Sequence, residues 1–166
     1  DKQIVQGLVV NMAAVDICNR ALIKIGHAKL LSALTDDVET ATILNLLYSN
    51  LRDNLLQSFT WNFAMKRAIL SATTAPTFGF GNAFLLPEDC LRAVIDDEAN
   101  AVYRVENNIL LTDASTINLI YISQITDTAK FSPLFTETLV TYIASEICEV
   151  LTANSNQATQ LRNAYL

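Results

Sequence analysis

Apolar positions along the chain change period twice, and those changes divide it into three stretches. Near the start, Val15, Cys18, Leu22 and Ile25 recur at three- and four-residue steps, the spacing of one helix face, and Gly26 supplies a stop. This predicts a helix over residues 13–25. A second helix is predicted from the capping-box-like pair Asp36 and Glu39 to about Ser58. Its stripe is Ala41, Leu44, Tyr48, Leu51 and Leu55, widened by Leu47 and Phe59, with Arg52 and Asp53 off that face. Thr60-Trp61-Asn62-Phe63 then breaks the helical period.

Residues 63–126 carry a strand pattern. Residues 63–72 form a first candidate strand, closed by Thr73-Thr74-Ala75-Pro76. The glycine- and aromatic-rich run Phe78-Gly79-Phe80-Gly81-Asn82 leads into Ala83-Phe84-Leu85-Leu86, Pro87-Glu88-Asp89 interrupts, and residues 91–95 resume. Residues 102–105 and 109–112 flank Glu106-Asn107-Asn108, a natural hairpin turn, and residues 117–122 close the series. Strands this short, separated by turn chemistry, suggest an antiparallel meander or small sandwich.

The helical period returns at Ser132-Pro133, an N-cap followed by proline at the first helical position. Leu139, Ile143, Ile147, Val150 and Leu151 are the expected buried face. Ala153-Asn154-Ser155-Asn156 ends that helix, and a further one is expected from Gln157 to Leu166, where it has no stop signal. The order predicts an α+β fold: a helical bundle of residues 12–60 and 131–166 with an antiparallel β sheet or sandwich, 61–130, inserted between its halves. Met12-Ala13-Ala14 reads as a natural start, which makes residues 1–11 an upstream extension.

Composition narrows the function. Half of the 166 residues are apolar (51%), enough for a real core. Runs such as Ile109-Leu110-Leu111 are far too short to span a bilayer, and Leu8-Val9-Val10 is too short for a secretory leader, so a soluble, non-exported protein without membrane partners is expected. The net charge of −6 comes with no basic run, which argues against an electrostatic DNA-binding surface. It is compatible with DNA as a passenger, because an acidic wall does not hold phosphates. Cys18, Cys90 and Cys148 lack the close spacing of a zinc or redox motif and read as small hydrophobes.

No catalytic constellation emerges. Asp36-Asp37, Glu88-Asp89 and Asp96-Asp97-Glu98 are acidic pairs or clusters that could hold a metal or serve as acid and base, yet each sits at a turn or helix start, where solvated acids and caps are ordinary. Gly79-Phe80-Gly81 lacks the third glycine and the strand-to-helix setting of a phosphate loop. His27 is the single histidine. No catalytic, metal or cofactor residue is assigned. Trp61 and Phe63 mark the junction between helix and sheet, where large aromatics either seal a seam between subdomains or support a subunit interface. Arg67, Phe84, Phe131 and Phe135 are grouped with them as candidates for those roles.

Several segments together resemble a known family. Trp61-Asn62-Phe63-Ala64-Met65-Lys66-Arg67-Ala68-Ile69-Leu70 is similar to the W-x-F-A-x-x-R-A-x-L signature of tail tubular protein A, the head-to-tail adaptor of short-tailed bacteriophages. Asp16-Ile17-Cys18-Asn19-Arg20-Ala21-Leu22 with Ile25-Gly26 resembles that family's first helix, and Leu86-Pro87-Glu88-Asp89-Cys90-Leu91-Arg92 its LPxDCLR segment. Residues 103–110, Tyr121-Ile122 and Phe131-Ser132-Pro133-Leu134-Phe135 resemble its later strands and the start of its final long helix. The resemblance runs from Ala13 to about Tyr165.

It implies a non-enzymatic virion protein that needs no cofactor. Members form a ring, dodecameric in the virion, between the portal and the tail nozzle, with DNA passing through the centre without specific binding. The expected partners are therefore further copies of the chain, the portal protein and the nozzle protein, and the expected location is the phage neck, after assembly in the host cytoplasm. Two other readings stand beside it: another neck or head-completion protein, and a small prophage-encoded hydrolase or nucleotide-binding enzyme.

Overall fold

The computed structural model describes residues 13–94 and 102–165. Ile95, the cluster Asp96-Asp97-Glu98, the proposed extension 1–11 and Leu166 lie outside the described residues. Those described form a mixed α+β fold with four α-helices and two antiparallel sheets. The chain divides into two compact units. One is made by the residues up to Arg52 together with those from Thr126 on, the other by Asp53–Ile125.

The first unit is helical. Helix α1 (Ala14–Lys24) starts where the Ala13 amide donates to the Asp16 carboxylate at 2.9 Å, half of a capping box, and gives way to Gly26 in the left-handed region at φ 80°. Asn19 reaches across to the loop that follows, donating to the Leu31 carbonyl at 2.9 Å and accepting from its amide at 2.8 Å. Helix α2 (Glu39–Ser58), whose residues from Asp53 on belong to the second unit, begins later than expected. Asp36 does not cap it: its carboxylate accepts from the amides of Ser32 and Ala33, closing the preceding loop.

The predicted stripe of α2 is buried from Ala41 to Leu55, with three differences. Leu56 is fully buried, Phe59 is exposed and Leu47 only half-buried. Arg52, expected off the face, is buried, its guanidinium carbon 6.0 Å from the centre of the Tyr48 ring one turn earlier. An arginine buries its aliphatic stem and lies over an aromatic face at little cost, which hydropathy counting does not register.

Helix α3 (Pro133–Thr152) opens on the predicted cap, the Ser132 hydroxyl accepting from the Phe135 amide. It packs against both α1 and α4 (Ser155–Tyr165). Contact on two sides widens its buried surface to include Val140, Ala144 and Cys148 beside Leu139, Ile143 and Ile147. Val150, expected inside, lies at the margin of that rotated face in the last turn and is 67% exposed. Ala153 then takes the left-handed conformation, and the Asn154 side chain accepts from the Gln157 amide, so α4 starts at Ser155, not Gln157.

The second unit is a small β sandwich. Its strands are β1 (Met65–Ile69), β2 (Ala72–Thr73), β3 (Asn82–Leu85), β4 (Cys90–Val94), β5 (Tyr103–Glu106), β6 (Ile109–Thr112) and β7 (Asn118–Ser123). They pair in the orders β1-β7-β4 and β2-β3-β6-β5. The single strand expected over 63–72 is therefore two strands in different sheets, preceded by a 3-10 turn at Asn62–Ala64. The transfer takes two residues. Leu70 makes the last bond to the first sheet, its amide to the Ile117 carbonyl, and Ser71 accepts from Leu85 of the second. Leu70 points into the core at that corner, as strands that switch sheets commonly do.

Leu70, Phe84, Leu86, Leu110, Ile117, Leu119 and Tyr121 fill the space between the sheets. The β5–β6 hairpin closes on two residues, Asn107 and Asn108, both at positive φ (47° and 62°), the conformation of a type I′ turn.

Candidate functional site

The six sequence-derived candidates fall into both units. Trp61, Phe63, Arg67 and Phe84 belong to the sandwich unit, and Phe131 and Phe135 to the helical one. Trp61 is half-buried directly after α2. Its indole Nε1 donates to the Leu55 carbonyl at 2.9 Å, and its ring meets Phe59 edge-on at 5.8 Å and Phe63 at a tilt at 6.2 Å. The last carbonyls of a helix have no partner inside the helix, so the indole acts as a C-terminal cap. Arg67 projects from β1 opposite Ile120 and is exposed, beside Ile69 and Asn118 in a shallow hollow. Phe84 is buried between the two sheets, and Phe135 is fully buried under an edge-on contact with half-buried Phe131 at 4.8 Å. Phe84 and Phe135 are core residues, and they are enclosed in the chain's own interior with no surface to offer a neighbouring subunit.

The Leu86–Arg92 segment contains an ionic tie that hydropathy patterning did not single out. Lys66 and Tyr121 are cross-strand partners on β1 and β7, and both reach Asp89 in the link before β4. Lys66 Nζ lies 2.6 Å from one carboxylate oxygen, and the Tyr121 hydroxyl donates to the other at 3.1 Å. The Asp89 carbonyl accepts from the Gln124 amide at 2.7 Å, so side chain and backbone both anchor this link. Partial burial pushes the Asp89 carboxyl up, but the two hydrogen bonds and the Lys66 charge outweigh it and hold the group below its ordinary value. Burial first, and then the bond to Asp89 and its charge, push the Tyr121 phenol up to about 12. Glu88-Asp89 read in sequence as solvated turn acids, and for Asp89 the structure corrects that. The tie depends on the pairing of β1 with β7, which sets Lys66 opposite Tyr121 and is not written in the local sequence.

Arg92 is the second residue sequence reasoning passed over. It lies on edge strand β4, opposite Ile122. It lines a cleft of about 600 Å³ together with Cys90, Tyr103, Arg104, Asn108 and Gln57. Its Nε and Nη2 atoms are shielded from water and have no hydrogen-bond partner among the described residues.

Cys18 is buried, which pushes its thiol up to about 12, and Cys90 is raised by burial and then by the charge of Asp89. Both stay protonated and weakly nucleophilic at neutral pH. His27 is half-buried after α1, its amide donating to the Leu22 carbonyl. Among the described residues, no three His, Cys, Asp or Glu side chains cluster closely enough to hold a metal ion, and no helix is long and apolar enough to cross a membrane.

No protein-family model matches the chain, and no curated protein matches it. The family resemblance therefore rests on the motifs themselves.

Proposed function

We propose that the chain is a structural virion protein, the head-to-tail adaptor subunit of a short-tailed bacteriophage. Copies of it form a ring that joins the portal to the tail nozzle around the DNA channel. The observation that carries this reading is the serial order of the family-like segments from Asp16 to Phe135, three of which lie where one element of the fold gives way to the next. Residues 61–70 cap α2, form β1 and cross between the sheets. Residues 86–92 hold the Asp89 tie and enter β4. Residues 131–135 start α3. A closed ring repeats one subunit contact around its axis, and hydrogen-bonded turns at these places define the backbone that each subunit presents. The net charge of −6 suits a channel along which DNA must slide without being held.

The test is electron microscopy of the purified protein, alone at high concentration and mixed with the portal of the phage that encodes it. Closed rings, or a ring seated on the portal, are the expected result. A chain that stays monomeric throughout and shows no affinity for that portal would rule the reading out.

A further inference from the structure

We infer that the cleft between β4 and β5, each an edge strand among the described residues, is a carboxylate-binding site built on Arg92. The two edges belong to different sheets, β4 to β1-β7-β4 and β5 to β2-β3-β6-β5, and the cleft of about 600 Å³ lies along them. Arg92 is one of the two cations that line it. The two unpartnered nitrogens, Nε and Nη2, form the side edge of the guanidinium, whose N–H bonds point in parallel. That edge matches the two oxygens of a planar carboxylate, giving paired charge-assisted hydrogen bonds.

Leaving these donors dry and unpaired is unfavourable. Arg92 as a whole is only half-buried and lines the cleft, so the proposed ligand reaches this edge once the outer side-chain bonds turn it outward. A ligand that accepts both bonds removes the penalty.

The lining favours a carboxylate over a phosphate. Arg104, the other cation of the cleft, already faces Glu106 at 3.6 Å, and Gln57, Tyr103 and Asn108 are neutral. One free guanidinium edge balances one negative charge and leaves a dianion under-compensated. Tyr103 and Val105 supply partly exposed apolar surface for whatever carries the carboxylate. That carrier is either a small organic acid or an acidic side chain of a second copy of this acidic chain.

The test follows the Arg92 Nε–H resonance by NMR in the full chain during separate titrations with acetate, glutarate and inorganic phosphate. Saturable shifts with either carboxylate, moving with the amides of Cys90, Tyr103 and Asn108, are expected, with phosphate weaker. Arg92→Gln should abolish them. Arg92→Lys keeps the charge and loses the fork, and should weaken binding about fivefold or more. A resonance that moves on protein dilution alone, and that acetate reverses, identifies the second copy as carrier; insensitivity to dilution identifies a small acid.

Three results would overturn the proposal: no response from the wild-type chain, equal responses in Arg92→Lys, or tighter binding of phosphate. A response that appears only after Asp96→Asn, Asp97→Asn and Glu98→Gln would also overturn it, because the chain would then supply its own counter-charge.

Discussion

The indole Nε1 of Trp61 donates to the carbonyl of Leu55 at 2.9 Å, tying the residue after the break in helical period to the last turn of the helix before it. The single tryptophan of the chain thus ties the end of α2 to the residues that lead into β1. Phe59 and Phe63 hold its ring from two directions, so the exit is set by packing as well as by one hydrogen bond.

Trp61→Phe keeps most of the ring stack and deletes the donor. It should cost about 1 kcal/mol, the usual net value of such a bond. Trp61→Ala also removes the aromatic contacts and should cost about 2–3 kcal/mol. Urea denaturation followed by circular dichroism measures both. Equal costs for the two variants would show that the hydrogen bond contributes and the ring does not.

Asp89 gives the fold a pH signature. Its folded carboxyl lies below the ordinary value of 3.8, so its contribution is fully present above 3.8 and is lost as pH falls through the folded value. Asp89→Asn should be less stable than wild type at neutral pH, by no more than about 1 kcal/mol because the Lys66–Asp89 pair is partly exposed. The difference should shrink as the pH drops below 3.8. Tyr121 acts at the other end. Its raised phenol favours the fold fully below 10.0, and that contribution is lost as pH rises toward about 12. Tyr121→Phe should remove this alkaline loss. Denaturation midpoints across the two ranges check both limbs, and a constant gap between Asp89→Asn and wild type down to strong acid would contradict the tie.

Much of the fold is legible in sequence because local chemistry and tertiary packing agree there. Gly26 ends α1, Ser132 and Pro133 start α3, and Asn107-Asn108 turn the β5–β6 hairpin. The failures occur where a local pattern has two solutions. The 63–72 stretch reads as one strand because nothing in its alternation marks the corner at Leu70, which exists only because a second sheet waits on the other side of the core. Arg52 is buried by its stem, which a polarity scale scores as solvent-facing. The candidate surfaces suffer from the same blindness. Aromatic character alone could not separate half-buried Trp61 from Phe84 and Phe135, which the core absorbs. Nor could it show Arg92, whose significance lies in the partners it lacks.

Two contacts step in parallel along α1 and α3. Arg20 pairs with Glu137, and one turn on, Lys24 Nζ lies 2.7 Å from the Thr141 hydroxyl. Both rows advance by four residues in the same direction, so one face of each helix is matched twice. A double-mutant cycle on Arg20→Ala and Glu137→Ala should give a coupling of about 0.5–1 kcal/mol, since both side chains remain in contact with solvent. The coupling should fall on adding salt, as screening of an exposed pair requires. A larger, salt-insensitive coupling would mean that the pair is desolvated in solution.

Ala153 is the residue most easily improved. It closes α3 at φ 53° and ψ 24°, its amide donating to the Glu149 carbonyl at 3.0 Å. The left-handed region brings the β-carbon of an L-residue against its own backbone, at a cost of about 1–2 kcal/mol that glycine escapes. Glycine also has more freedom to lose on folding, which returns part of the gain. Ala153→Gly should therefore stabilise the chain by about 0.5–1 kcal/mol. Ala153→Val, with a branched β-carbon in the same conformation, should destabilise it by at least about 1 kcal/mol. Thermal denaturation of the three proteins in one buffer ranks them. The order glycine, alanine, valine is required if α3 ends on a left-handed residue in solution; a glycine variant less stable than wild type would show that the helix continues through Ala153 there.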